Sequence, residues 1–263
     1  MAESTLSVTY ADLQREVIYF IGWGTSTSGL TSDQLAMVNG CINEGLRQFY
    51  APPRLPGQSK AHRWSFLRPT KKIKTVANVG NYDLPDVFAS MDGPLTYVSS
   101  HGWRAPIKIV GESQIRGMQN ILRYGQPTHA AIRPKENLGT GYTGQRFELI
   151  LYPIPNAEFE LEFRCRINPE AMSTFNPANT YPPGGSIHGS TIVASCLAAA
   201  EEKNNGGKGP KWERFIERLV ASIDADLEQA PESLGVNRDT NYRTTPCRHG
   251  SHSGLYLNGE QIL

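Results

Sequence analysis

Three stretches of this 263-residue chain carry residue types from which catalytic or metal sites are made. The first is Cys247-Arg248-His249 followed by His252. One thiol and two imidazoles at this spacing can grip zinc, but a structural site needs a fourth ligand, and nothing nearby supplies one. A catalytic zinc site leaves that position open and then needs a general base on a rigid element, whereas this stretch is basic, polar and reads as a tail. The second is Gly184-Gly185-Ser186-Ile187-His188-Gly189. A nucleophile elbow requires G-x-S-x-G on a strand-to-helix turn, and the order here is wrong. The stretch reads as the lead-in to a helix, with Ser186 or Ser190 as its N-cap. The third is Gly206-Gly207-Lys208-Gly209, which lacks the spacing of a phosphate loop and reads as a connector between helices.

Isolated acids and bases do no better. Asp83 and Asp86 flank Leu84-Pro85, where aspartate shapes turns. Asp224 and Asp226 stand two apart on a helix and so point in different directions. Lys71, Lys72 and Lys74 cluster on a strand. Their simplest role is a wet edge that discourages aggregation. A second role is non-specific contact with DNA phosphates inside a pore. The expectation is a chain that is not an enzyme, with no metal and no cofactor.

The elements that hold these residues follow from composition and period. Hydrophobic residues make up 39%, charged residues 19%, and the net charge is +1. That supports one good core or two small ones and excludes a general nucleic-acid binder with a high isoelectric point. No apolar run is long enough to cross a bilayer, so no membrane partner is expected. Glu3 and the missing basic segment at the start argue against a secretory signal. Cys41, Cys165, Cys196 and Cys247 form no CxxC pair and fit a reducing cytosol. The 25 glycines and 18 prolines concentrate at 51–57, 168–189 and 204–210, so long shaped loops join the elements.

A capping box at Thr9 and Asp12 opens a helix carrying Leu13, Val17 and Phe20, and a second at Thr31 and Gln34 opens one carrying Val38, Ile42, Leu46 and Phe49. Strand-like runs cover 70–76, 95–99, 106–110, 129–133, 146–152 and 159–167, with a short helix over 112–123. The last two runs alternate most clearly, and Pro153-Ile154-Pro155-Asn156 between them predicts a hairpin. The run 159–167 has one apolar and one charged face, so its sheet is covered on one side only. Helical period returns at 187–203 and 211–229, and a polar tail begins at 232. The expected fold is α+β: an antiparallel helical bundle from the N- and C-terminal helices (1–60 and 186–231), an inserted small antiparallel β domain with long loops (61–185), and an extended C-terminal arm (232–263).

Several stretches together resemble one family. Leu46-Arg47-Gln48-Phe49-Tyr50 ends the helix pair, and Trp64-Ser65-Phe66-Leu67 leads into a strand. Tyr82-Asp83-Leu84-Pro85-Asp86-Val87-Phe88 is close to a Y-x-L-P-x-D-F pattern, with Val87 as a departure. Residues 146–155, Arg-Phe-Glu-Leu-Ile-Leu-Tyr-Pro-Ile-Pro, are similar to an F-x-L-x-L-x-P-x-P stretch, and Ala199-Ala200-Glu201 precedes the glycine break. In this order the chain resembles the tailed-phage head-to-tail adaptors, which include tail tubular protein A and gatekeeper-type proteins. The resemblance implies a structural subunit of the virion neck, assembled in the host cytoplasm. Its partners would be the portal protein, tail or nozzle proteins, and identical subunits in a ring, usually of twelve. Packaged DNA would pass through the ring non-specifically. The arm has an apolar strand-like end with no evident internal partner, so Leu255, Tyr256 and Leu257 are expected to anchor it to the portal or a neighbour, helped by Arg243 and Arg248. The alternatives are another neck or tail-completion and terminator protein, a hydrolase using Cys196 and His188, a zinc enzyme using Cys247, His249 and His252, or a nucleic-acid-binding regulator.

Overall fold

The computed structural model describes residues 4–56, 59–98, 104–135, 145–172, 176–229, 255–257 and 260–262. Met1–Ala230 pack as one compact unit and Pro231–Leu263 as a second. Among the described residues the first unit holds five α-helices: α1 (Tyr10–Ile21), α2 (Ser32–Tyr50), α3 (Glu112–Gln119), α4 (Gly189–Asn205) and α5 (Pro210–Gln229).

Local sequence sets the helix ends. In α1 and α2 both expected capping boxes form: Thr9 with Asp12 and Thr31 with Gln34 each bond reciprocally through side chain and backbone. Gly22 ends α1 in the left-handed region at φ 87°, where a side chain is strained. Helix α2 stops at Tyr50, just before Pro52-Pro53. The start of α4 differs from expectation. A turn of 3-10 helix, Ser186–His188, precedes it, and His188 takes the cap position with no side-chain cap from Ser186 or Ser190. At the start of α5, the carboxylate of Glu201 on α4 accepts the backbone N–H groups of Lys211 and Trp212 at 2.9 and 3.4 Å. A carboxylate there satisfies unpaired donors and opposes the positive end of the helix dipole.

Helix α4 lies at the centre of the helical part. It is rich in small residues and buried around most of its girth, from Thr191 and Ile192 through Ala200. Small residues let backbones come close. At Gly45 of α2, a Cβ would stand 2.4 Å from Cys196 Cα, and Ser195 Oγ donates to Gly45 O at 2.7 Å. The core here gathers Leu13, Ile18, Ile42, Phe49, Ile192 and Phe215 with Trp64 from the following segment.

Ten strands fill the middle of the chain: β1 (Thr70–Lys74), β2 (Asn81–Asp83), β3 (Phe88–Met91), β4 (Thr96–Tyr97), β5 (Lys108–Ile109), β6 (Tyr124–Gly125), β7 (His129–Pro134), β8 (Phe147–Tyr152), β9 (Ile154–Pro155) and β10 (Glu160–Ile167). One four-stranded sheet pairs β10 with β1 on one edge and with β3 and β4 on the other. A second runs β2-β8-β7-β5, and β6 pairs with β9. The pairs β5/β7 and β6/β9 are parallel.

This corrects the expected architecture. The chain is mixed α+β, with five helices and several sheets of mostly short strands, and not a clear helical bundle carrying one small inserted antiparallel β domain. The predicted hairpin between 146–152 and 159–167 does not form, because β8 and β10 belong to different sheets. The apolar residues Leu149 and Leu151 of β8 and Leu161, Phe163 and Cys165 of β10 meet in one cluster between the two sheets. Alternation in two neighbouring runs shows that each has a buried face, and leaves open whether they pair edge to edge or pack face to face. Strand β8 is covered on its other face too, where Ile150 joins Ala131 and Ile115 of α3. Strand β10 keeps the expected single cover, with Arg164 exposed on its outer face. Ile167, at its end, packs against both the inter-sheet cluster and the helical core.

In the second unit, β11 (Leu255–Leu257) and β12 (Glu260–Ile262) form an antiparallel pair.

Candidate interaction surfaces

The chemical candidates fall apart in the structure. Cys196 is buried, and that burial, with Cys41 nearby, pushes its thiol far up, the opposite of an activated nucleophile. Its Sγ faces Ile42 O at 3.8 Å. His188 is 2% exposed and sits two helical turns before Cys196, among Phe49, Trp64 and Phe66 at ring distances of 5.1 to 5.9 Å. Its Nδ1 has no hydrogen-bond partner. Burial lowers its pKa, Asp226 raises it and His62 lowers it, with burial the largest effect. Cys247, His249 and His252 lie outside the described residues. Among the described residues no group of three or more His, Cys, Asp or Glu side chains could hold a metal ion.

One polar cluster is tight. Asp226 of α5, 2% exposed, accepts from Ser65 Oγ at 2.6 Å, from Ser65 N at 3.0 Å, and lies 2.8 Å from His62 Nε2. Serine and histidine both address the carboxylate. A relay needs the histidine between the other two, so the arrangement is a staple. It satisfies the first turn of the 3-10 helix Ser65–Leu67 and ties the 59–68 segment to α5. Trp64 adds a second tie, its Nε1 donating to Phe49 O at 2.7 Å.

Strand β1 is the exposed outer strand of its sheet. Lys72 reaches Glu160 at 3.4 Å and Lys74 reaches Glu158 at 3.8 Å, while Lys71 sits on the opposite pleat, across from Phe163. The three lysines therefore do not act as one basic patch. The unbalanced positive charge lies beside them. Lys60 and Arg63 border two adjoining clefts, the larger of about 560 Å³. Arg68 lines one and Arg166 the other. Arg68 and Arg164 share a single carboxylate, Asp92, at 3.7 and 3.8 Å. Lys60, Arg63 and Arg166 have no acidic partner among the described residues. The sequence carries a signal for this surface: residues 45–82 contain no acid and eight lysines and arginines.

Two apolar features complete the surface. A groove of about 280 Å³ runs between α2 and the chain after β10, lined by Leu46, Tyr50, Leu67, Ile167 and Pro169. After α3 and into β6, Ile121, Leu122 and Tyr124 are 61%, 67% and 54% exposed. Of the C-terminal candidates, Leu255, Tyr256 and Leu257 make up β11, and Arg243 and Arg248 lie outside the described residues.

These are the features of a chain that works through surfaces: a charged cleft, apolar patches, and buried polar groups spent on holding elements together. They fit the class of assembly proteins. Comparison with known proteins agrees, since the chain matches the SU10 adaptor protein family over residues 8–240 and belongs to it. The chain is thus a phage structural adaptor and a component of the virion, of a family that is in general not enzymatic. No curated protein matches it. No helix among the described residues is long and apolar enough to cross a membrane.

Proposed function

We infer that the chain is a head-to-tail adaptor, a subunit of a ring that joins the portal to the tail in the virion neck and surrounds the DNA channel. The observation that carries this reading is the adaptor-family match, which spans the helices and the sheets alike. The stretches that resemble those of tail tubular protein A and gatekeeper-type proteins are in keeping with it. Packaged DNA passes without sequence recognition, and Lys71, Lys72 and Lys74 are offered to it singly rather than as one patch. The acids beside Lys72 and Lys74 keep such contacts weak, which suits a strand past which DNA must slide.

The C-terminal arm is the docking element. Leu255, Tyr256 and Leu257 lie in a short two-stranded sheet. Isolated hairpins are marginal in water and gain most by joining another surface. Arg243 and Arg248 add polar contacts. A chain ending at Ser233 keeps its far-ultraviolet circular dichroism and its cooperative unfolding but loses binding to the portal. Undiminished portal binding by that shortened chain would remove the arm from the mechanism.

Cryo-electron microscopy of the virion neck tests the reading as a whole. A ring seated directly on the portal is the expected result. A sixfold ring at the top of the tail would instead make the chain a terminator, the second member of the same class.

A further inference from the structure

The net charge of +1 conceals a separation of signs. Helix α5 buries Phe215, Leu219 and Ile223 on one side. On the opposite side Glu213, Glu217 and Asp224 form a stripe at i, i+4 and i+11, all exposed, with Val220 between them at 44% exposure. None of the three carboxylates has a cation within ion-pair distance among the described residues. The basic cleft of Lys60, Arg63 and Arg166 is the converse: Asp226, the acid that lines it, is buried and engaged by Ser65 and His62. It adjoins the C-terminal end of α5, at Ile223, Asp226 and Leu227. Glu213 lies thirteen residues before Asp226, roughly 20 Å away along the helix axis. The N-terminal half of the stripe therefore cannot reach the cleft of its own chain.

Two unlike patches on separate parts of one molecule attract across copies, while like patches repel. Where such association runs head to tail, it closes into a ring when the rotation from copy to copy closes. We propose that the acidic face of α5, Glu213, Glu217 and Asp224 with Val220, docks against the Lys60–Arg63–Arg166 cleft of a second copy. The proposal rests on the ring reading above and names the contact that builds it. Opposite charge selects the partner surface and its polarity, and Val220 adds apolar contact at the centre of the stripe.

Charge reversal in the full-length chain tests it. One variant carries Glu213→Lys and Glu217→Lys, the other Lys60→Glu and Arg63→Glu. All four positions are exposed, and circular dichroism confirms that both variants fold. Sedimentation should show that the natural chain self-associates at low ionic strength and loses this at high salt. Each variant alone should associate at least about tenfold more weakly, since like charges now face each other. An equimolar mixture should recover association, because the lysine face of one then meets the glutamate cleft of the other. A natural chain that stays monomeric at low salt, variants that associate as well as it does, or a mixture that fails to recover would each overturn the proposal. Virions assembled with either variant separate this failure from that of the ring reading. A normal neck ring in them leaves the ring standing and removes this contact.

Discussion

At the scale of single residues, Asp226 holds the most. Its carboxylate, itself almost fully buried, serves two donors on Ser65 and faces His62. Removing it strands buried donors, and each stranded donor costs about 1–3 kcal/mol. Asp226→Ala should therefore destabilise the chain by about 3 kcal/mol, read as a lower urea midpoint. Asp226→Asn, which keeps one acceptor oxygen, should cost less. His188 gives a pH dependence. Burial sets its folded pKa below the ordinary value of 6.5. As the pH falls below 6.5, the unfolded chain takes up this proton while the folded chain still resists it, so stability declines with acidification through that window. Urea unfolding at pH 7.5 and pH 5.5 measures the decline, and His188→Phe should flatten it. Neither role was legible in the residues. In sequence Asp226 is only an acid two residues from Asp224 and pointing elsewhere, and His188 only part of a glycine-rich lead-in to a helix, because the partners of Asp226 lie 161 and 164 positions away.

At the scale of elements, what was local was legible and what was relational was not. Both capping boxes bond reciprocally within four residues, so Thr9-x-x-Asp12 and Thr31-x-x-Gln34 mark their helix starts directly. Strand periods likewise placed β1, β7, β8 and β10 within a residue or two. The pairing of β8 with β2 and β7, and of β10 with β1, β3 and β4, depends on cross-strand partners that no single run contains. Helix α4 shows the same limit. The helical period at 187–203 does form a helix, but its burial extends well beyond one stripe, because Gly45 lets α2 approach to backbone contact. Gly45→Ala would place a methyl group inside that contact. Since neither backbone can yield without disturbing Ser195 and its bond to Gly45 O, a loss of about 2 kcal/mol is expected. Differential scanning calorimetry would show it as a lower Tm.

For the molecule as a whole, the class of protein was legible and the distribution of its charge was not. The motifs that pointed to a phage adaptor run from the end of α2 to the end of α4, and the family match covers the same ground. The basic surface was sought in Lys71, Lys72 and Lys74. Glu158 and Glu160 answer two of those lysines, and a further basic surface forms where Lys60, Arg63 and Arg166 converge from segments a hundred residues apart. Strand β10 has a consequence of a different kind. It is bonded along both edges, and its last residue, Ile167, is set in the helical core as well as between the sheets. A pull that separates the helices from the sheets along this strand must shear several ladder hydrogen bonds at once, where a transverse pull would open them one at a time. Resistance along β10 therefore rests on bonds that must break together rather than in turn.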